Sequence, residues 1–376
     1  MRVFTAAAIL GLTLTACKPA PPVTGKPPTL SAPAQETMAL KVDTITDTLK
    51  TPWGLAFLPD GDIIVTQRTG GVKRVSPGGK AVDIAGAPEP YTEGQAGLFD
   101  IILSPDFAAD KTVFISYAKG TDAANATSVF KAVLSGNALT DGAVIFESTL
   151  KDTAQHYGGR MAFLPDGTLL LTTGDGFTYR EAAQDPTSHL GKILRITQTG
   201  KAAGGNPFAG DPQAAHEVYS AGHRNVQGLA IDSDTGIIWS HEHGPKGGDE
   251  LNRIEAGQNY GWPIATYGTD YSGAQISPYN RYGGTQDAIH NWTPSIAPSG
   301  MTVYRGDLFE SLDGDILVGA LKFRQIHRLQ MKDGRVEKET VWLGDLGERI
   351  RDVQTGPDGA IYVLTDSGKL LRVTPG

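Results

Sequence analysis

The sequence predicts an all-β fold, a six-bladed β-propeller of four-stranded antiparallel blades. Three observations predict it. A short phrase, Pro-Asp-Gly followed by three or four β-formers, returns six times in full or partial form. Its aspartates Asp60, Asp106, Asp166, Asp234, Asp313 and Asp358 are separated by 46, 60, 68, 79 and 45 residues, about one four-stranded blade plus loops. No long stretch after residue 40 keeps a helical period.

The copies follow one another along the chain. Leu58-Pro59-Asp60-Gly61 leads into Ile63-Ile64-Val65, and Ser104-Pro105-Asp106 into Val113-Phe114-Ile115. Leu164-Pro165-Asp166-Gly167 precedes Leu169-Leu170-Leu171, and Asp232-Ser233-Asp234 precedes Ile237-Ile238-Trp239. The last two are Asp313-Gly314 before Ile316-Leu317-Val318 and Pro357-Asp358-Gly359 before Ile361-Tyr362-Val363. Proline presets φ and Asp-Gly supplies the φ > 0 corner of a tight hairpin. Each copy is followed by a further strand with a basic residue between apolar ones: Arg74, Lys131, Arg195, Arg253, Arg328 and Arg372. A sandwich of six similar hairpins is the alternative. A body of about 340 residues is long for that and right for one propeller.

The N-terminus reads as a leader rather than as part of the fold. Met1-Arg2 is a basic start, Val3 to Leu14 an apolar run too short to span a bilayer, and Leu14-Thr15-Ala16-Cys17 ends it with small residues. That phrase looks like a bacterial lipobox. Residues 1–16 are then a lipoprotein signal peptide, and Cys17 is the lipidated first residue of a protein facing the periplasm. A plain secretory signal, giving a soluble periplasmic or secreted protein, is the alternative. Cys17 is the only cysteine, so an internal disulfide and a thiol nucleophile are both excluded. Residues 17–37, rich in Pro and Ala, read as a tether that cannot bury a core. Residues 38–376 are the propeller. A net charge of −8 argues against a nucleic-acid partner, so basic clusters inside the fold need a specific cause.

The densest polar stretch is Ala221-Gly222-His223-Arg224-Asn225-Val226-Gln227-Gly228, followed by Ser240 to Asn252 and by Gly257-Gln258-Asn259-Tyr260-Gly261-Trp262-Pro263. Polar groups interleave with glycines where a blade should alternate, as a ligand site does. The carbonyls of Gly244 and Pro245 have little bulk around them, and Asp249 and Glu250 add carboxylate oxygens, the ligand type calcium prefers.

In these phrases the chain resembles the soluble glucose/sorbosone dehydrogenase family, quinoproteins that use pyrroloquinoline quinone (PQQ). The phrases are Gly222 to Gly228, Gly244 to Glu250 and Asn259 to Pro263. Gly94-Gln95-Ala96-Gly97-Leu98 and Gln155-His156-Tyr157-Gly158-Gly159-Arg160 extend the resemblance upstream. Pro294 to Ser299, Gly319 to Lys322 and Arg349 to Val353 extend it downstream. Its compact loops look like the bacterial aldose sugar dehydrogenase branch.

The resemblance implies roles. His156 corresponds to the general base that takes the proton of the anomeric hydroxyl, a task suited to an imidazole near its ordinary pKa. Gln155 stands where the glucose-specific branch has an aspartate, which leaves sugar preference open. Arg224 and Asn225 correspond to the pair meeting the quinone oxygens, Arg224 stabilising charge as hydride arrives. Lys322, Arg349 and Arg351 correspond to partners of the cofactor's three carboxylates, with Ala320, Leu321 and Ile350 beside them. On a strand, Arg349 and Arg351 point to one side; an exposed surface pair is the alternative. Gln95 lines the same funnel and Tyr271 is a further cofactor contact. One calcium ion is implied at Gly244 and Pro245, and a second, structural one at Glu250 and the Tyr260 carbonyl, where a loop salt bridge of Glu250 is the alternative.

Other features read as scaffold. Trp53, Trp239 and Trp342 are expected to pack between blades, while Trp262 and Trp292 lie nearer the funnel. Asp175 in Thr173-Gly174-Asp175-Gly176 reads as a hairpin or loop-capping residue. His241 and His243 flank Glu242, but zinc lacks a third ligand at proper spacing. The function implied is oxidation of the C1 hydroxyl of aldose sugars to lactones, by a monomer that passes electrons to an external acceptor. The alternatives are a calcium-dependent lactonase or esterase, which needs acidic ligands converging on the axis, and a non-catalytic binding propeller.

Overall fold

The computed structural model describes residues 32–376. The leader, Cys17 and most of the tether lie outside the described residues. Six sheets stand around an axis, each antiparallel and four-stranded apart from one added strand. In chain order the innermost strands are Pro52–Phe57, Leu98–Leu103, Met161–Phe163, Val226–Ile231, Pro298–Val303 and Ile350–Thr355. They define blades one to six. The predicted propeller is therefore the observed fold.

Every copy of the repeated phrase joins the innermost strand of a blade to its second strand. The basic residues fall on the third strand, and four of them return to the hairpin. Arg74 binds Asp60 and Asp62, Arg195 binds Asp166, Arg328 meets Asp315 at 2.7 Å and Arg372 meets Asp358 at 2.7 Å. An Asp–Arg clasp thus pins each of these turns across its own sheet. In blade four Arg253 turns to Glu255 instead, and Arg305 of blade five takes Asp232 at 2.9 Å.

Stability lies between the blades. Six hydrophobic clusters each span two neighbours, as where Ile64 and Val72 of blade one meet Ile101 and Val113 of blade two. Because both faces of a blade are covered, second strands are buried along their whole length, as in Ile63–Gln67 and Ile361–Thr365. Their unbroken apolar runs follow from that burial, since neither face meets water.

The ring closes with strands from both ends of the chain. Leu40–Thr46 forms the outer strand of blade six against Leu370–Pro375. Just before it, inside the segment read as tether, Ala34–Gln35 pairs in parallel with Thr340 and Val341 at the edge of blade five. Glu36 anchors this addition on Arg328 at 2.9 Å and Thr340 at 3.1 Å.

Candidate functional site

The innermost strands begin at a cavity of about 430 Å³ centred on the axis. In five blades the ladder slips register at this end, between Pro52 and Leu55, Leu98 and Ile101, Val226 and Gly228, Pro298 and Met301, and Ile350 and Asp352. Such bulges re-aim side chains. Trp53, Phe99, Gln227 and Arg351 line the cavity from these positions.

Its charge is positive. Arg68, Arg349 and Arg351 line it against a single carboxylate, Asp366, which both Arg349 and Arg351 reach at 2.8 Å. The two arginines reach the same carboxylate, though Arg349 precedes the strand and Arg351 lies at its bulge, so strand alternation is not what aligns them. Asp366 is held below the usual carboxylate range: burial raises it, and the two arginines outweigh that. Arg68 donates to the carbonyls of Gly94 and Ala96 at 3.1 and 3.0 Å and forms no ion pair among the described residues.

One wall carries the candidate base. His156 is buried between Gln95 and Tyr157, which both line the cavity. Gln95 Oε1 accepts the His156 backbone N–H at 2.9 Å. His156 Nδ1 lies 2.6 Å from Asp175 Oδ1, and Asp175 Oδ2 accepts the Trp262 indole N–H at 2.8 Å. The carboxylate accepts, so Nδ1 carries the proton and Nε2 the lone pair. Among the described residues Nε2 has no partner. Burial lowers the imidazole pKa to about 4, with Asp175 opposing the fall. His156 adopts φ +49°, and its carbonyl lies where a Cβ on Gly174 would stand, so the loop can approach only a glycine there. Thr153 Oγ1 to the Gly176 carbonyl at 2.7 Å and Tyr179 Oη to Asp152 at 2.6 Å tie the two loops together.

Asp175 does cap its turn, accepting the Phe177 N–H at 2.8 Å, but the loop-capping reading missed its principal contact. Nothing local signals that pairing, because the two residues meet only through connections at the same end of the blade. Phe177 lies edge-on to the imidazole at 5.1 Å, and Tyr271 stacks on Phe177 at 6.4 Å.

Arg224 and Asn225 lie on the same side as the His156–Asp175 pair: the Asp175 N–H donates to the Arg224 carbonyl at 2.8 Å, and Gly174 pairs with Asn225. Arg224 is buried, donates to the carbonyls of His243 and Gly244 at 3.0 and 2.8 Å, and has no carboxylate partner among the described residues. Its backbone N–H is fixed by Glu242, which also takes His223 Nδ1 at 3.0 Å. Asn225 Oδ1 accepts from Gly158 and Gln227 at 3.2 Å, which leaves its amide N–H groups for a ligand.

Beside Arg224, a small cavity is lined by Gly244, Glu242, Glu250 and Tyr260. Glu250 is raised well above the usual carboxylate range by burial and by Glu242, Asp249 and Asp287 nearby. The alternative reading of Glu250, a loop salt bridge, finds no partner among the described residues.

Not every expected residue faces the cavity. Leu321 lines it, while Ala320 and Ile350 are buried behind it. Lys322 is exposed and Tyr271 is 60% exposed, and neither lines the cavity; His156 and Arg224 are buried behind its lining, Arg224 lining the smaller cavity instead, which Pro245 does not. Trp262 sits beside Asp175, as expected of a funnel residue. Trp53 is a correction, since it lines the cavity, and so is Trp292, whose indole binds Glu339 at 2.8 Å between blades four and five. Below the cavity lie Asp100 and Asp352, both paired with the cation Arg160.

A family model described as Glucose / Sorbosone dehydrogenase matches residues 49–372. The aldose sugar dehydrogenase YliI of Escherichia coli is 38% identical over 346 residues, 89% of this chain and 93% of that one. The crystal structure of the soluble Escherichia coli aldose sugar dehydrogenase in its apo form superposes with a TM-score of 0.87 at 37% identity, covering 90% of this chain and 100% of that one. The PQQ-bound aldose sugar dehydrogenase from Streptomyces coelicolor gives 0.74 at 32% identity, covering 91% and 99%.

Proposed function

We propose, because this chain belongs to the glucose/sorbosone dehydrogenase family, that it is a quinoprotein oxidising the C1 hydroxyl of aldoses to lactones. Sugar dehydrogenation by an oxidoreductase is the family-level activity; PQQ, calcium and the lactone product are our finer reading. The residues present fit the cofactor. A tricarboxylate needs cations, and the cavity offers Arg68, Arg349 and Arg351 against one carboxylate. Calcium would sit in the smaller cavity, which Glu242, Glu250 and Gly244 line, the Gly244 carbonyl also accepting from Arg224 at 2.8 Å.

When bound, PQQ supplies a two-electron acceptor for the hydride leaving sugar C1, and calcium a Lewis acid beside it. The protein does the rest. His156 Nε2 takes the hydroxyl proton. Asp175 holds the imidazole in the tautomer with a free Nε2 and stabilises the imidazolium that results. Arg224, buried beside the base and without a carboxylate partner among the described residues, stabilises negative charge developing there. Arg349, Arg351 and Asn225 orient, and the walls of Trp53 and Phe99 limit access of water.

The observation that carries this reading is the buried His156–Asp175 pair directly behind the lining residues Gln95, Tyr157 and Gly158 of a cationic cavity. A lactonase needs free carboxylates on the axis, and Asp100 and Asp352 are instead committed to Arg160. The deciding experiment reconstitutes apoprotein with PQQ and calcium and assays an aldose with an electron-accepting dye. Quinone-dependent dye reduction supports the reading; calcium-dependent lactone hydrolysis without quinone would replace it. The lipobox-like run ending at Cys17 supports a periplasm-facing, lipid-tethered placement, with electrons passing to an external acceptor.

A further inference from the structure

Immediately below the cavity, equivalent positions of the six blades contribute Gly54, Asp100, Arg160, Gly228, Gly300 and Asp352. In blades one, two, four and six each follows a bulge residue that lines the cavity. Glycines here are a packing requirement. A Cβ on Gly54 would stand 2.7 Å from Asp100 Oδ1, and one on Gly300 1.9 Å from Asp352 Oδ1. The side chains they omit make room for one buried cation and two buried carboxylates.

Arg160 is 4% exposed and its contacts run to four other blades. It meets Asp352 of blade six at 3.0 Å and Asp100 of blade two at 3.6 Å. Its Nε donates to the carbonyl of Gln227 in blade four at 2.9 Å, and a terminal N–H reaches the carbonyl of Arg351 in blade six at 3.5 Å. Its flat face lies over the Trp53 ring of blade one at 4.1 Å. With its own blade three, five of the six blades converge on one guanidinium. Gln227, Arg351 and Trp53 all line the cavity, and Arg160 itself does not.

We infer that Arg160 is a positioning residue for the cofactor cavity, holding Trp53, Gln227 and Arg351 in register from beneath without touching the ligand. A planar fork with five donors can serve two carboxylates and two carbonyls while stacking on an indole; an ammonium has three donors and no plane. The inference rests on the reading that this cavity holds PQQ. His241, buried close by, is held well below its ordinary pKa by burial, His243 and Arg160, so it adds no second positive charge beside the guanidinium.

The test is equilibrium binding of PQQ, in calcium, to the full chain and to Arg160→Lys and Arg160→Met, beside thermal melts. Arg328→Met is the control, since Arg328 is an equally buried clasp on blade five remote from the cavity. The expected pattern is a tenfold or greater loss of PQQ affinity in both Arg160 variants, with Lys recovering the melting temperature but not the affinity. Arg328→Met should lower the melting temperature and leave affinity within twofold. Wild-type binding with Arg160 variants also within twofold overturns the inference alone. Failure of the wild type to bind PQQ overturns the parent reading and this one with it. Should neither Arg160 variant fold, Asp352→Asn, which frees one arm of the guanidinium, decides by the same affinity criterion, with a threefold loss expected.

Discussion

Asp175 Oδ1 lies 2.6 Å from His156 Nδ1, and that one contact settles which imidazole nitrogen is free to take a proton. The pair is shut away from water, so its electrostatics are set by the protein. Burial dominates and lowers the imidazole to about 4, while Asp175 remains ionised below the usual carboxylate range.

Removing the base follows directly. His156→Ala should keep PQQ affinity within a few-fold, because the cations that hold it are untouched, and lose about 10²–10⁴ in kcat. Parallel quinone titration and dye-reduction kinetics check this. Near-normal turnover would show that another group takes the proton.

The pH profile carries a sign. The working form is neutral imidazole, so the rate should be flat through neutrality and fall in acid with a midpoint near 4, well below the ordinary histidine value. Asp175→Asn removes the carboxylate that stabilises the imidazolium, so that midpoint should move lower still and kcat should fall by about 10²–10⁴ through loss of the tautomer. A kcat–pH series on both proteins measures it. A wild-type midpoint above 6 would contradict the buried geometry.

Arg351 is mostly enclosed and Arg349 half open, yet both share Asp366. A charged hydrogen bond is worth about 1.5–3 kcal/mol, or roughly 10–100-fold in affinity, and less where water competes. Arg351→Ala should therefore weaken PQQ binding more than Arg349→Ala does. Dissociation constants at low and moderate salt test the ranking, and equal or reversed losses would count against it.

How much of this was legible in the sequence depends on range. The hairpin phrase is local, so blade number and the first turn of every blade could be read directly. The Asp–Arg clasps show why the basic residues recur. His156 and the Arg349–Arg351 pair were singled out through motif resemblance. Asp175, Trp53 and Gln227 were not assigned to the site, because their roles arise where loops and bulges from different blades meet. Trp53 looks like any packing aromatic until the bulge after Pro52 turns it to the axis.

Localisation rests on residues outside the described structure and needs its own test. Cys17→Ser should move the protein from the membrane fraction to the soluble periplasmic fraction, with specific activity unchanged, since the catalytic wall begins far along the chain. Fractionation with an activity assay reads both. A wild-type protein already fully soluble would favour the plain secretory signal.

Calcium should announce itself in stability before it does in activity. Glu250 is raised well above its ordinary value by burial, then by Glu242, Asp249 and Asp287, with Asn252 only partly offsetting them. A carboxyl raised on folding contributes stability that is complete below its unfolded pKa, near 4.5, and is lost as pH climbs through the folded value. Calcium-free protein should thus lose melting temperature between pH 5 and pH 8, and added calcium should restore more at pH 8 than at pH 5. Glu250→Gln removes the buried charge. It should make the calcium-free protein more stable than calcium-free wild type at pH 8 by about 1–3 kcal/mol and abolish the response to calcium. Melts at both pH values, with calcium or with chelator, decide the matter. If chelator leaves the wild-type melt unchanged at both, Glu250 does not serve a cation, and its crowding by carboxylates must be relieved by a proton instead.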